Sequence, residues 1–109
     1  MATPLAPMFA ALADETRWSI LTALGEGDSS ASALAGRLPV TRQAIAKHLA
    51  VLQEVGLVEP VRVGRELQFR VVGAELSATA NRLDAIGREW DRRLAAIKEI
   101  AEEKRDPLP

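Results

Sequence analysis

Apolar positions along this chain change period twice. They recur at three- and four-residue intervals up to about residue 55, alternate between about 57 and 72, and return to helical spacing from about 75. The first stretch divides into four helices. Pro4 and Pro7 make the first residues irregular, and a short helix over 7–13 carries Met8, Phe9 and Leu12. Asp14 has the chemistry of an N-cap for a second helix with Trp18, Ile20, Leu21 and Leu24, which Gly25 and Gly27 end. Asp28-Ser29-Ser30 reads as a loop with Ser30 as the next cap, ahead of a short helix that buries Leu34, Ala35 and Leu38. Pro39 has no N–H and disfavours helix at Leu38, so the link to the fourth helix is tight. Thr41 caps that helix, and Val40 with Ile45 has the spacing of a hydrophobic staple.

The fourth helix runs over about 41–55 and stops at Gly56. Two extended pieces follow, 57–63 and 66–72, around the hairpin signal Gly64-Arg65. Leu67, Phe69 and Val71 alternate with Gln68, Arg70 and Val72, which predicts one buried strand face; Pro60 predicts an edge for the first strand. A long helix is predicted over 75–104, with a frayed tail from Asp106. The fold class is therefore mainly α with a small β-hairpin wing: a winged helix-turn-helix over 1–109 as a single domain, closed by a long C-terminal dimerisation helix.

Composition narrows the chemistry. The 109 residues are 48% apolar and 27% charged, which fits one globular core and neither disorder nor a membrane span. There is no cysteine, which excludes disulfides, thiolate metal sites and thiol switches, and the single histidine excludes a multi-His metal cluster within one chain. No metal and no cofactor is expected. The opening residues lack a basic segment followed by a long apolar stretch, so a cytoplasmic location is expected. Net charge is −1, and nucleic-acid binding must then rest on local charge. Residues 37–70 hold six basic and three acidic side chains, so this segment carries +3 and the remainder −4.

The fourth helix is the candidate reading head. At 100° per residue Ile45, Leu49 and Leu52 form its core stripe. Gln43, Lys47 and Ala50 point the other way, flanked by Arg42, Ala44 and Ala46, with no acid before Glu54. Gln pairs bidentately with adenine, Ala touches a thymine methyl, and Arg or Lys takes guanine or phosphate. An ordinary amphipathic surface helix would look similar, but would carry more Glu–Lys pairs one turn apart. His48 reads three ways: a half-buried ring satisfied by backbone, a phosphate contact, or a pH sensor. Arg65 stands at the hairpin apex, with Arg62 and Arg70 nearby, where it would reach the minor groove or the DNA backbone.

On the last helix Leu76, Ala80, Leu83, Gly87, Trp90, Leu94, Ile97 and Ala101 are spaced 4-3-4-3-4-3-4, a heptad seam. So long a stripe exceeds what a small domain buries alone. It reads as a homodimer contact made by Leu83, Trp90, Leu94 and Ile97, with Trp90 and Leu94 as anchors; folding back onto its own domain is the alternative.

The segment Phe9-Ala10-Ala11-Leu12-Ala13-Asp14-Glu15-Thr16-Arg17 with Ile20-Leu21 resembles the opening of the ArsR/SmtB family of winged-helix repressors. The run from Leu38 to Leu52 with Gly56-Leu57-Val58 resembles that family's recognition helix, and Gly64-Arg65-Glu66 its wing. Glu89-Trp90-Asp91-Arg92-Arg93-Leu94 is similar to a metal-independent branch. The resemblance implies a homodimeric repressor on double-stranded operator DNA, with Thr41, Arg42, Gln43, Ala44, Lys47, His48 and Arg65 facing the duplex. The Cys pairs and last-helix His residues of metal-sensing members are missing here. What relieves repression stays open between a small-molecule effector, a partner, and protein concentration alone. The competing function class is a winged-helix module for protein interaction or ligand sensing without DNA. An enzyme has less support, since no serine stands at catalytic spacing from the only histidine.

Overall fold

The computed structural model describes residues 4–105. The chain order is α1 (Leu5–Leu12), α2 (Glu15–Glu26), β1 (Ser29–Ser30), α3 (Ala31–Arg37), α4 (Arg42–Glu54), β2 (Val58–Val63), β3 (Glu66–Val71) and α5 (Gly73–Arg105). It divides into two compact units, one up to Ser77 and one from Ala78 onward, and α5 belongs to both. The tail expected to fray from Asp106 lies outside the described residues.

The helix starts follow from short polar side chains. Asp14 accepts from the Arg17 N–H at 3.0 Å, Ser30 Oγ from the Ala33 N–H at 3.1 Å, and Thr41 Oγ1 from the Ala44 N–H at 3.2 Å. Each satisfies one donor that a helix start leaves unpaired. α1 begins at Leu5, two residues ahead of the expected start. Pro7 fits inside its first turn because the N–H it lacks would have no helical partner there. α4 closes in a Schellman motif: Leu57 N–H donates to the Leu52 carbonyl and Gly56 N–H to the Gln53 carbonyl, both at 3.0 Å. Gly56 sits at φ +83°, which an L side chain rarely adopts.

The first unit closes around Met8, Ile20, Leu34, Ile45, Leu49, Leu52, Leu57 and Val58, all fully buried. Each such side chain contributes roughly 1.5–3 kcal/mol by leaving water. Val40 packs at the rim of this core and Ile45 inside it, as the staple spacing predicts. Two apolar residues depart from expectation. Trp18 is 57% exposed, and Phe9 is also exposed, because Met8, Ala11, Ile20, Leu21, Ala23 and Leu24 already supply the buried faces of α1 and α2.

The wing is a three-stranded antiparallel sheet in the order β1-β3-β2. Pro60 therefore lies on an edge strand, as predicted. β1 replaces the loop expected at Asp28-Ser29-Ser30: Ser29 pairs with Phe69 and Ser30 with Gln68. The β2–β3 turn is the two-residue loop Gly64-Arg65, with Val63 opposite Glu66 and Gly64 at φ +63°. Glycine in first place with positive φ is the pattern of a type II′ hairpin. The buried strand face is real near the base but fades toward the tip. Phe69 and Val71 are half-buried, whereas Leu67 is 41% exposed.

Candidate nucleic-acid interface

α4 sorts its side chains by angle. Ile45, Leu49 and Leu52 are buried, while Gln43 and Lys47 are exposed on the opposite side. Thr41 and Arg42 are exposed at its start, and the first turn holds no acid. The unpaired N–H groups of that turn leave a partial positive charge suited to phosphate.

The two flanks of α4 face different neighbours. On one flank Arg42, Ala46, Ala50 and Gln53 line an open groove of about 680 Å³, closed by Arg62, Arg65, Glu66, Leu67 and Phe69 of the wing and by residues 30–32 at the start of α3. Strand register explains the presence of Arg62, Leu67 and Phe69 on the wing wall. Pro60–Phe69 and Arg62–Leu67 are opposed pairs on one face of the hairpin, and Glu59–Arg70 and Val61–Gln68 on the other. The groove thus brings Arg42 and Arg65 together with Arg62, which sequence reasoning noted only as a neighbour. It also adds Ala46, Ala50 and Gln53, whose recurrence every three or four residues marks one flank of the helix. Arg70, noted beside the apex, is instead held by Glu59 at 2.6 Å.

The opposite flank carries Ala44 and His48, both half-buried. Among the described residues no backbone group satisfies the His48 ring, contrary to one expectation. Its Nδ1 lies 3.4 Å from Arg17 Nη1, and Arg17 is itself held to the end of α1 by Nε to the Ala11 carbonyl (2.8 Å) and Nη2 to the Ala10 carbonyl (3.1 Å). Arg17 could have been singled out from its place in the Asp14 capping turn; its partner 31 residues away could not. The Arg17 N–H bonded to Asp14, assisted by the Arg17 positive charge, holds the Asp14 carboxyl below its ordinary pKa.

Ion pairing separates the cations. Arg37 pairs with Glu26 at 2.9 Å, Arg88 with Asp84, and Arg92 and Arg93 with Glu89. Among the described residues, Arg42, Lys47, Arg62 and Arg65 have no carboxylate partner. Arg17, Lys98 and Lys104 also lack one; the four on α4 and the wing are those that stand at the candidate interface, where they suit a polyanion. No group of three or more His, Cys, Asp or Glu among the described residues could hold a metal ion, and no described helix is long and apolar enough to cross a membrane.

In the second unit Trp90, Leu94 and Ile97 are 55%, 58% and 61% exposed; Leu83 is half-buried. Arg93 stacks its guanidinium over the Trp90 ring at 5.5 Å.

A family model described as a helix-turn-helix domain matches residues 12–61. The chain is 33% identical over 96 residues to the HTH-type transcriptional regulator Rv2034 of Mycobacterium tuberculosis, covering 88% of this chain and 87% of that protein. Among solved structures, an ArsR-like transcriptional regulator from Rhodococcus sp. RHA1 superposes with TM-score 0.78 at 69% identity, over 89% of this chain and 92% of that one. The cadmium metal-sensor CMTR from Mycobacterium tuberculosis superposes with TM-score 0.57 at 38% identity, over 62% of this chain and 70% of that one.

Proposed function

The chain belongs to the ArsR family of helix-turn-helix transcriptional regulators and is a DNA-binding regulator; from that premise we propose that it acts as a homodimeric repressor on a palindromic operator. α4 enters the major groove. Gln43 and Ala44 read base edges, Thr41, Arg42, Lys47 and His48 hold phosphate or guanine, and Arg65 of the wing reaches the neighbouring backbone or minor groove. The observation that carries this reading is that Arg42, Lys47, Arg62 and Arg65, on α4 and the wing, have no carboxylate partner among the described residues, while Arg37 and Arg70 beside them are neutralised.

The dimer is formed through α5, with Leu83, Trp90, Leu94 and Ile97 at the contact. Its support is the exposure of the last three. Two-fold symmetry then presents two copies of α4 about 34 Å apart, one duplex turn. The whole of 1–109 works as one winged helix-turn-helix domain, located with the genome in the cytoplasm. Transcriptional regulation rather than catalysis is its activity. No metal or cofactor enters the reading. Cadmium sensing, named for one relative, is not carried over, since the chain has no cysteine to supply a soft thiolate ligand.

Selection of duplexes from a randomised pool tests the reading. A palindromic consensus should be enriched, with affinity falling steeply as salt rises, in proportion to the phosphates contacted. Absence of any enrichment at low ionic strength would overturn it.

A further inference from the structure

Arg17 lies outside the DNA-facing set, yet it touches His48 of α4 from the side away from the wing. A guanidinium has five N–H donors and no acceptor. A hydrogen bond across this 3.4 Å contact has His48 Nδ1 as the acceptor, and the neutral ring then carries its proton on Nε2. Arg17 is poorly free to turn away. Its Nε and Nη2 donate to the Ala11 and Ala10 carbonyls, and its backbone N–H is bound by Asp14. His48 Nε2 has no partner among the described residues, and the side chain is half exposed.

We infer that Arg17 is a positioning residue for DNA binding: it fixes the His48 tautomer so that Nε2–H is presented as a hydrogen-bond donor to a phosphate oxygen. A phosphate diester only accepts, so the other tautomer would oppose lone pair to lone pair. The inference rests on α4 facing the duplex. It extends that reading to α2, and makes the end of α1, through the Ala10 and Ala11 carbonyls, part of the support of the recognition helix.

The test has two arms. In the first, ring nitrogen chemical shifts of His48 are measured in the free wild-type protein and in Arg17→Gln. A dominant Nε2–H form that becomes mixed in the variant is expected; a dominant Nδ1–H form, or an equal mixture in the wild type, overturns the inference without any DNA. In the second arm, binding to the selected duplex is compared. His48→Gln, whose amide N–H₂ can stand where Nε2–H does, should stay within about twofold of wild type, whereas His48→Ala should lose about tenfold. Arg17→Gln should lose several-fold in the wild-type background and little in the His48→Gln background. Equal losses in both backgrounds would make Arg17 a purely structural pin and refute its action through the ring. Should no variant, wild type included, bind any duplex while the shifts show Nε2–H, the DNA reading fails and the tautomer control stands alone.

Discussion

In the unit up to Ser77 most apolar side chains at helical spacing are buried, with Phe9, Trp18 and Leu76 as exceptions; in the unit from Ala78 most are exposed, with Leu83 half-buried. Ile45, Leu49 and Leu52 of α4 are at most 1% exposed, while Trp90, Leu94 and Ile97 of α5 are more than half exposed. Periodicity marks a helix face that leaves water when something covers it, and says nothing about what the cover is. In α4 the cover is the chain's own core. In α5 we assign it to a second copy.

Core truncation gives the sharpest contrast. Leu49→Ala should cost about 2–5 kcal/mol, read as a drop in thermal midpoint that is the same at every protein concentration. Ile97→Ala should instead shift the midpoint more at high concentration than at low, because only the associated state buries it. A concentration-independent loss for both would erase the contrast. Next in size, Trp90→Asp with Leu94→Asp should halve the mass seen by light scattering and weaken operator binding about 100-fold through lost bivalency, with the helical signal of the first unit retained. An unchanged mass would refute the α5 contact.

The cations extend the comparison at smaller scale. Lys47→Ala should weaken binding to every duplex about five- to tenfold and lower the salt slope by about one, while Lys98→Ala on α5 leaves both unchanged. Gln43→Ala should relax preference at one base pair per half-site. The smallest effects concern a helix cap and an exposed ion pair. Asp14 is held below its ordinary pKa by the Arg17 N–H, so its contribution is present above the ordinary carboxylate range and disappears as pH falls through the lowered value. Asp14→Ala should lower the thermal midpoint at neutral pH and flatten its decline in acid. Asp84→Ala, which breaks only an exposed one-turn pair with Arg88, should change stability by no more than about 0.5 kcal/mol.

Local chemistry was legible in the sequence where it acts over three or four residues. The caps at Asp14, Ser30 and Thr41, the staple of Val40 on Ile45, and the turn at Gly64-Arg65 are all of that kind. β1 was not, since two serines show no alternation and their pairing is set by Phe69 and Gln68 of a distant strand. Trp18 looked like core because a single helix cannot show that its neighbours already fill the buried face. In the candidate site, the outward placement of Gln43 and Lys47 followed from angle alone. The wing groove did not, because it depends on which hairpin face turns toward α4. Nor did the Arg17–His48 contact, which joins α2 to α4 across 31 positions.

The most direct measurement is a hydroxyl-radical footprint on the selected duplex, with the number of chains per duplex determined in the same solution. Two protected half-sites about ten base pairs apart, bound by two chains, are expected. A single protected stretch bound by one chain would contradict the pairing through α5 and, with it, the placement of two recognition helices in successive grooves.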